Sequence, residues 1–238
     1  MRLPQKSLQH QTPFQADQPS DCALCTVRRD GLFAHVSLDE IAELDQPVCS
    51  GFCDADQVIY RAGEPATAAF TIRSGLVKLL LRTSNGEYHI ARLLGRGISI
   101  GLEAFEGPRY THTAVAARES NICRIPRTAL AQLKQRNLAL YEGLSIQWRE
   151  HAQQCEIWEW RLQSERLEQR VFALIRRISD VSGDPVDAVR LLHNEDFADM
   201  LGVSLASVSR CMANLKRRGL VTRVGPWTYD CRSLLETL

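Results

Sequence analysis

Two groups of residues in this 238-residue chain combine side-chain type and spacing in a way that could do chemistry. The first is a set of cysteines. Cys22 and Cys25 form a Cys-x2-Cys pair in a polar N-terminal stretch, a spacing at which two thiolates can grip one metal ion or one cluster corner. Cys49 and Cys53 come just before a β-rich section, and Cys123 lies near its end. Five thiols therefore stand where four would hold an iron–sulfur cluster. Such a site suits oxygen sensing, because thiolate-held iron clusters are oxidised and lost on exposure. A zinc clip, a metal-free thiol–disulfide switch and simple packing of an apolar Cys123 are the alternatives. The other three of the eight cysteines, Cys155, Cys211 and Cys231, fall in helix or wing patterns and are expected to pack.

The second group is the segment Asn194–Gly219, NEDFADMLGVSLASVSRCMANLKRRG. A helix-turn-helix needs a small residue in its first helix, a glycine at the turn and a β-branched residue packing back from the second helix. Ala198, Gly202 and Val208 fill these positions, with Phe197, Leu201, Val203, Cys211 and Leu215 as the core between and behind the helices. Ser204 is a suitable N-cap, and Ser204–Arg218 is read as the recognition helix. Ser204, Ala206, Ser207, Ser209 and Arg210 would lie at or near the DNA-facing end. Arg210 can meet guanine O6 and N7 bidentately. Lys216, Arg217 and Arg218 sit at the far end, better placed for phosphates, which set register without carrying sequence. The formal charge of the whole chain is only +1, yet Arg210 to Arg232 carries six cations against one acid, a basic stripe on a near-neutral protein.

The rest of the chain must position these groups. Residues 1–21 are rich in glutamine and read as a disordered or loosely docked arm. A short helix is expected around Leu38, Ile41 and Leu44. Beyond Val58, glycines 63, 75, 86 and 97 recur every eleven or twelve residues and separate apolar runs of strand length such as AAFTIRS and LVKLLLRT. That rhythm predicts an antiparallel sandwich or barrel. Pro126 marks a change from strand to helix. From there to Gly183, Leu138, Tyr141, Leu144, Trp148, Cys155, Leu162 and Val171 keep a three-four spacing, read as a long dimerisation helix. Ser182–Pro185 reads as a hinge, and LVTRV, Gly225-Pro226 and WTYDC as a wing in which Trp227 packs. The domains predicted are thus residues 1–21, 22–126, 127–182 and 183–238. No apolar run is long enough to span a membrane, and no signal peptide is visible, so a cytoplasmic protein is expected.

Along nearly its whole length after residue 21 the chain resembles the Crp/Fnr superfamily of bacterial regulators. Ile72-Arg73-Ser74-Gly75, Gly97 and Ile100-Gly101 look like its cyclic-nucleotide-type β-roll, and Leu201-Gly202-Val203 with Val208-Ser209-Arg210 like its recognition motif. Glu119–Pro126 is similar to the Fnr branch, which keeps a cluster-ligand cysteine at the place of Cys123. The resemblance implies an α+β fold: an N-terminal antiparallel β-roll, a long dimer helix and a C-terminal winged helix-turn-helix. It also implies a homodimer that binds double-stranded DNA at a palindromic site, with recognition helices about 34 Å apart, and recruits RNA polymerase. The chain departs from the Fnr pattern at Gly31, where a further cysteine would stand, and at Ala206, where the recognition helix usually carries glutamate. Leu102, Tyr110 and Thr111 replace the acid and the Arg-Ser pair that hold the nucleotide in the cyclic-AMP branch, so cyclic AMP is not expected, although Glu103 and Arg109 lie nearby. Two other readings stand beside the redox regulator. One is a regulator gated by a small effector in the roll. The other is a β-roll enzyme using His89 and His112 with Glu87 or Glu103, against which no phosphate loop or nucleophile elbow is found.

Overall fold

The computed structural model describes residues 11–16, 18–29, 32–137 and 166–236, together with Leu140, Tyr141, Leu144, Ser145 and Arg149. The chain divides into two compact units, Leu3–His151 and Ala152–Leu238.

The N-terminal unit contains two antiparallel sheets. One has the strand order β1 (Gln18–Pro19), β2 (Cys49–Cys53), β9 (Ser120–Pro126), β4 (Ala68–Ser74) and β7 (Ser99–Ile100). The other is ordered β3 (Val58–Tyr60), β8 (Thr113–Ala116), β5 (Val77–Arg82) and β6 (Tyr88–Leu94). The predicted run AAFTIRS is β4, and the four evenly spaced glycines all have positive φ. Gly75 has a second constraint. A Cβ there would lie 2.2 Å from the Ser120 hydroxyl, which is itself bonded to the backbone of Leu76. Short helix α1 (Leu38–Ala42) opens with a capping box between Ser37 and Glu40. Pro126 ends β9, and α2 (Arg127–Arg136) follows directly, burying Ala129, Leu130 and Leu133.

Three expectations need correction here. Residues 11–16 and 18–20 of the supposed loose arm are docked: β1 pairs with β2, the Phe14 amide donates to the Val58 carbonyl, and Phe14 is 5% exposed against Gly51. A buried aromatic side chain, a strand pairing and hydrogen bonds from Val58 and Arg61 to Gln11 hold a polar segment that has no periodicity of its own. The helix after Pro126 is interrupted at Asn137, whose backbone is extended. Its side-chain amide donates to the His35 carbonyl at 2.9 Å and to the Glu40 carboxylate at 3.0 Å, polar contacts that compete with helix continuation. Tyr141 and Leu144 are helical again, while Leu138, Trp148, Cys155 and Leu162 lie outside the described residues.

The third correction is Val171. It belongs to α3 (Leu167–Ser182), which starts after an extended Arg166 and ends at Gly183 in the left-handed conformation. Val171, Leu174, Ile175 and Ile178, spaced i, i+3, i+4 and i+7, are buried within the C-terminal unit. The domain boundary expected at residue 183 therefore falls inside one compact body, in which Ser182–Pro185 is a helix end and turn. The unit continues with β10 (Val189–Arg190), α4 (Asn194–Leu201), α5 (Leu205–Arg217), β11 (Thr222–Gly225), β12 (Thr228–Asp230) and α6 (Arg232–Leu235). Its three-stranded sheet has the order β10-β12-β11, one strand more than the expected wing.

Phe14→Ala is expected to destabilise the N-terminal unit by about 3 kcal/mol, as for other buried phenylalanines. Urea unfolding of the full chain measures this. A loss under about 0.5 kcal/mol, typical of a surface change, would restore the loosely docked arm.

Candidate DNA interface and sensor pockets

Helices α4 and α5 meet at Gly202, which takes the left-handed conformation (φ 62°) that a side chain would strain. Phe197, Leu201, Val208, Met212 and Leu215 are buried, whereas Val203 and Cys211 are half-buried and contribute less to the core than expected. The Ser204 hydroxyl accepts the Ser207 amide at 3.2 Å and caps α5. From α3, the Arg170 guanidinium donates to the Leu201 carbonyl at the end of α4. That contact puts a cation on the negative end of the first helix of the pair.

The start of α5 presents Ser204, Ala206, Ser209 and Arg210 to solvent, with Ser207 half-buried. Arg210 Nη2 approaches the Ser207 hydroxyl at 3.5 Å, and the Ser209 hydroxyl accepts from the Asn194 amide at 3.3 Å. Two of the three cations at the far end have partners in the same unit. Lys216 donates to the Tyr229 hydroxyl at 3.3 Å and lies over its ring, and Arg218 pairs with Glu168 at 2.5 Å. Arg217 is exposed. Trp227, expected to pack the wing, is 52% exposed at the β11–β12 turn, where its ring lies 4.3 Å from His193.

The cysteines separate by register. Cys123 on β9 stands opposite Ser50 and Thr71, whereas Cys49 stands opposite Arg124 and Cys53 opposite Ser120. Side chains alternate faces along a strand, so Cys49 and Cys53 are on the other side of the sheet from Cys123. They are not part of its site. Cys22 and Cys25 come to Cys123 from the N-terminal segment, and the three thiols line one cavity of about 20 Å3 with Arg28 and Arg73. That volume holds one water-sized atom. The Ser20 hydroxyl lies 3.8 Å from the Cys123 sulfur. Burial pushes the Cys123 thiol up to about 12, against a lowering by its contact with Ser20, and burial also raises Cys22. Among the described residues no group of three or more His, Cys, Asp or Glu side chains is arranged to hold a metal ion. Cys231 is buried and Cys211 half-buried, as expected for packing residues, while Cys155 and Gly31 lie outside the described residues. The sequence singles out Arg73 only within the β-roll motif and Arg28 not at all, since no local pattern links either to the thiols.

A second, larger cavity of about 620 Å3 opens in the β-roll, lined by Tyr60, Leu79, Leu94, Ile100, Phe105 and Leu144 among others. Glu103 reaches into this region and accepts from both the amide (2.9 Å) and the hydroxyl of Thr111. The Thr111 hydroxyl also contacts His112 Nδ1 at 2.8 Å. The Tyr110 hydroxyl is committed to the backbone of Ala68, donating to its carbonyl at 2.7 Å and accepting from its amide at 3.1 Å. Arg109 turns away to the Gly63 carbonyl. His89 lies 4.0 Å from Glu87.

Comparison with known proteins matches residues 52–137 to the cyclic nucleotide-binding domain and residues 169–236 to the Crp-like helix-turn-helix domain. The chain is 25% identical to the anaerobic regulatory protein of Pasteurella multocida, over 84% of this chain and 73% of that one. It is 26% identical to the transcriptional activator protein anr of Pseudomonas aeruginosa, over 79% and 77%. The solved structure of FixK2 from Bradyrhizobium japonicum superposes with a TM-score of 0.69 at 20% identity, covering 80% of this chain and 96% of that one. The chain belongs to the Crp/Fnr superfamily. As a Crp/Fnr-type regulator it binds DNA and is not an enzyme, so the catalytic alternative falls away.

Neither small group associated with such regulators fits the residues as they stand. An iron–sulfur cluster wants four donors and room for several atoms. The thiol cavity offers three donors and about 20 Å3. At Thr111, which by the resemblance replaces a nucleotide-holding residue of the cyclic-AMP branch, the amide and hydroxyl are already given to the Glu103 carboxylate.

The raised Cys123 thiol has a consequence for stability. Unfolded, a cysteine ionises near pH 8.5, so above that pH the unfolded chain binds fewer protons than the folded one. The stability held by the protonated thiol is present below about pH 8.5 and is lost progressively as pH rises toward 12. Urea melts should show the wild type losing more stability between pH 8 and pH 10 than Cys123→Ala. Parallel losses would mean that Cys123 ionises as freely folded as unfolded.

Proposed function

We propose that this chain is a homodimeric, sequence-specific transcription regulator in which α5 reads the major groove and the Cys22–Cys25–Cys123 set receives a redox signal. The observation that carries it is the convergence of these three thiols on one cavity in a chain that also carries a helix-turn-helix. In this reading Arg210 meets a guanine edge, and Ser204, Ala206, Ser207 and Ser209 line the same groove. Arg217 contacts a phosphate, while Lys216 and Arg218 reach phosphates only by giving up Tyr229 and Glu168. A two-fold dimer implies a palindromic site, and RNA polymerase is the partner proposed for the bound dimer.

The signal proposed is oxygen, since thiols and thiolate-held clusters are both open to oxidation. In its iron–sulfur form the reading requires the Cys22–Cys25 segment to lift from Cys123 and a fourth donor to join. In its metal-free form two thiols give two protons and two electrons to an oxidant and close a disulfide. Full-length protein purified without air, assayed for iron and sulfide and titrated with a duplex selected from a random pool before and after air exposure, separates these forms. Air is expected to change the affinity of the wild type and to leave a Cys22→Ser, Cys25→Ser, Cys123→Ser variant unmoved. Equal affinity of the wild type in both states would remove the thiols as the input.

The recognition helix has its own check. Arg210→Ala should lower the preference for the selected duplex over random DNA by about 10- to 100-fold, while sparing the salt dependence of nonspecific binding. Arg217→Ala should weaken binding to every sequence and reduce the salt slope by about one. Discrimination that survives in Arg210→Ala would place base readout elsewhere.

A further inference from the structure

The large cavity of the β-roll carries an inference independent of the thiols. Its volume of about 620 Å3 falls within the range of small-molecule sites, and most of its wall is apolar. What distinguishes it is the use of its hydrogen-bond donors. By the resemblance to the cyclic-AMP branch, Thr111 stands at a position that holds the nucleotide there, and its amide and hydroxyl here both donate to Glu103 Oε1. The carboxylate of Glu103 thus occupies the position of a bound anion.

The surrounding charges do not reverse this. Glu106 is paired with Lys134 at 3.0 Å. Arg92 lines the cavity from β6 but is exposed, so water screens it. His112 is half-buried, and burial lowers its pKa, with Arg92 lowering it further against a raising influence of Glu103. Tyr110 and Arg109, which follow Pro108 on the approach to Thr111, spend their polar groups on the backbone of Ala68 and Gly63. The pocket therefore offers an apolar volume with the Glu103 carboxylate half-buried at its edge and Arg92 at an exposed position. Tyr141, Leu144 and Ser145, described as helical after Asn137, also line it, so an occupant would touch these residues.

We propose that this cavity binds a small, largely apolar molecule that presents a hydrogen-bond donor or a positive charge to Glu103, and that Glu103 excludes cyclic nucleotides by standing in for their phosphate. The ligand class is thus the opposite in charge to that implied by the cyclic nucleotide-binding match.

The test uses the full-length protein and Nile red, an uncharged dye that brightens in apolar surroundings. A single saturable site is expected. Phenethylamine and 3-phenylpropionate, similar in size and opposite in charge, then compete for it. The amine should displace the dye at a concentration at least about tenfold lower than the acid, and cyclic AMP at about 1 mM should not displace it. Glu103→Ala frees the Thr111 donors and is expected to invert the order of amine and acid, while Glu103→Gln reduces the preference without inverting it. Circular dichroism confirms that each variant is folded, and the wild-type competition stands even if neither folds. Displacement by cyclic AMP, absence of a saturable dye site, or an acid preference in the wild type would each overturn the proposal.

Discussion

Because strand β9 is hydrogen-bonded along both edges, to β2 on one side and β4 on the other, its side chains cannot change face without breaking two ladders at once. Much of the N-terminal unit follows from that constraint. Ile122 turns to the core, and Cys123 to the face covered by the Cys22–Cys25 segment. Pro126 at the end of the strand starts α2, and the same register removes Cys49 and Cys53 from the thiol site. A candidate set of five cysteines becomes three because a pleated strand has period two.

The two cavities share a physical theme, in that polar groups able to bind a ligand are already partly engaged inside the protein. Around Cys123, burial keeps the thiol protonated, so ionisation or oxidation has to work against the packing of the N-terminal segment. In the β-roll, a carboxylate from the 3-10 turn Leu102–Phe105 consumes the Thr111 donors. In the C-terminal unit, Lys216 and Arg218 are held by Tyr229 and Glu168, so two of the cations near the end of α5 already have partners. Exposed ion pairs of that kind contribute little to stability, and phosphates can displace them at small cost.

Much of this architecture was legible in the residues. The glycine rhythm gave the β-roll because each turn needed a positive φ, and AAFTIRS matched β4 to the residue. Ala198, Gly202, Ser204 and Val208 gave the helix-turn-helix because capping and helix crossing are local demands. The docking of Phe14, the break at Asn137 and the separateness of α3 were not legible. Asn137 stops its helix through contacts with His35 and Glu40, about a hundred residues earlier in the chain, and no window of sequence contains both sides of such a contact.

By itself, the sequence determined where strands, turns and caps fall and which residues carry thiols, charge and donors, since these depend on neighbours within a few positions. The tertiary structure decided which cysteines meet, which cations are already paired and which carboxylate fills the β-roll's donor pair. Those outcomes depend on strand register and on loops closing over distances of tens of residues, where a shift of one position moves a side chain to the opposite face.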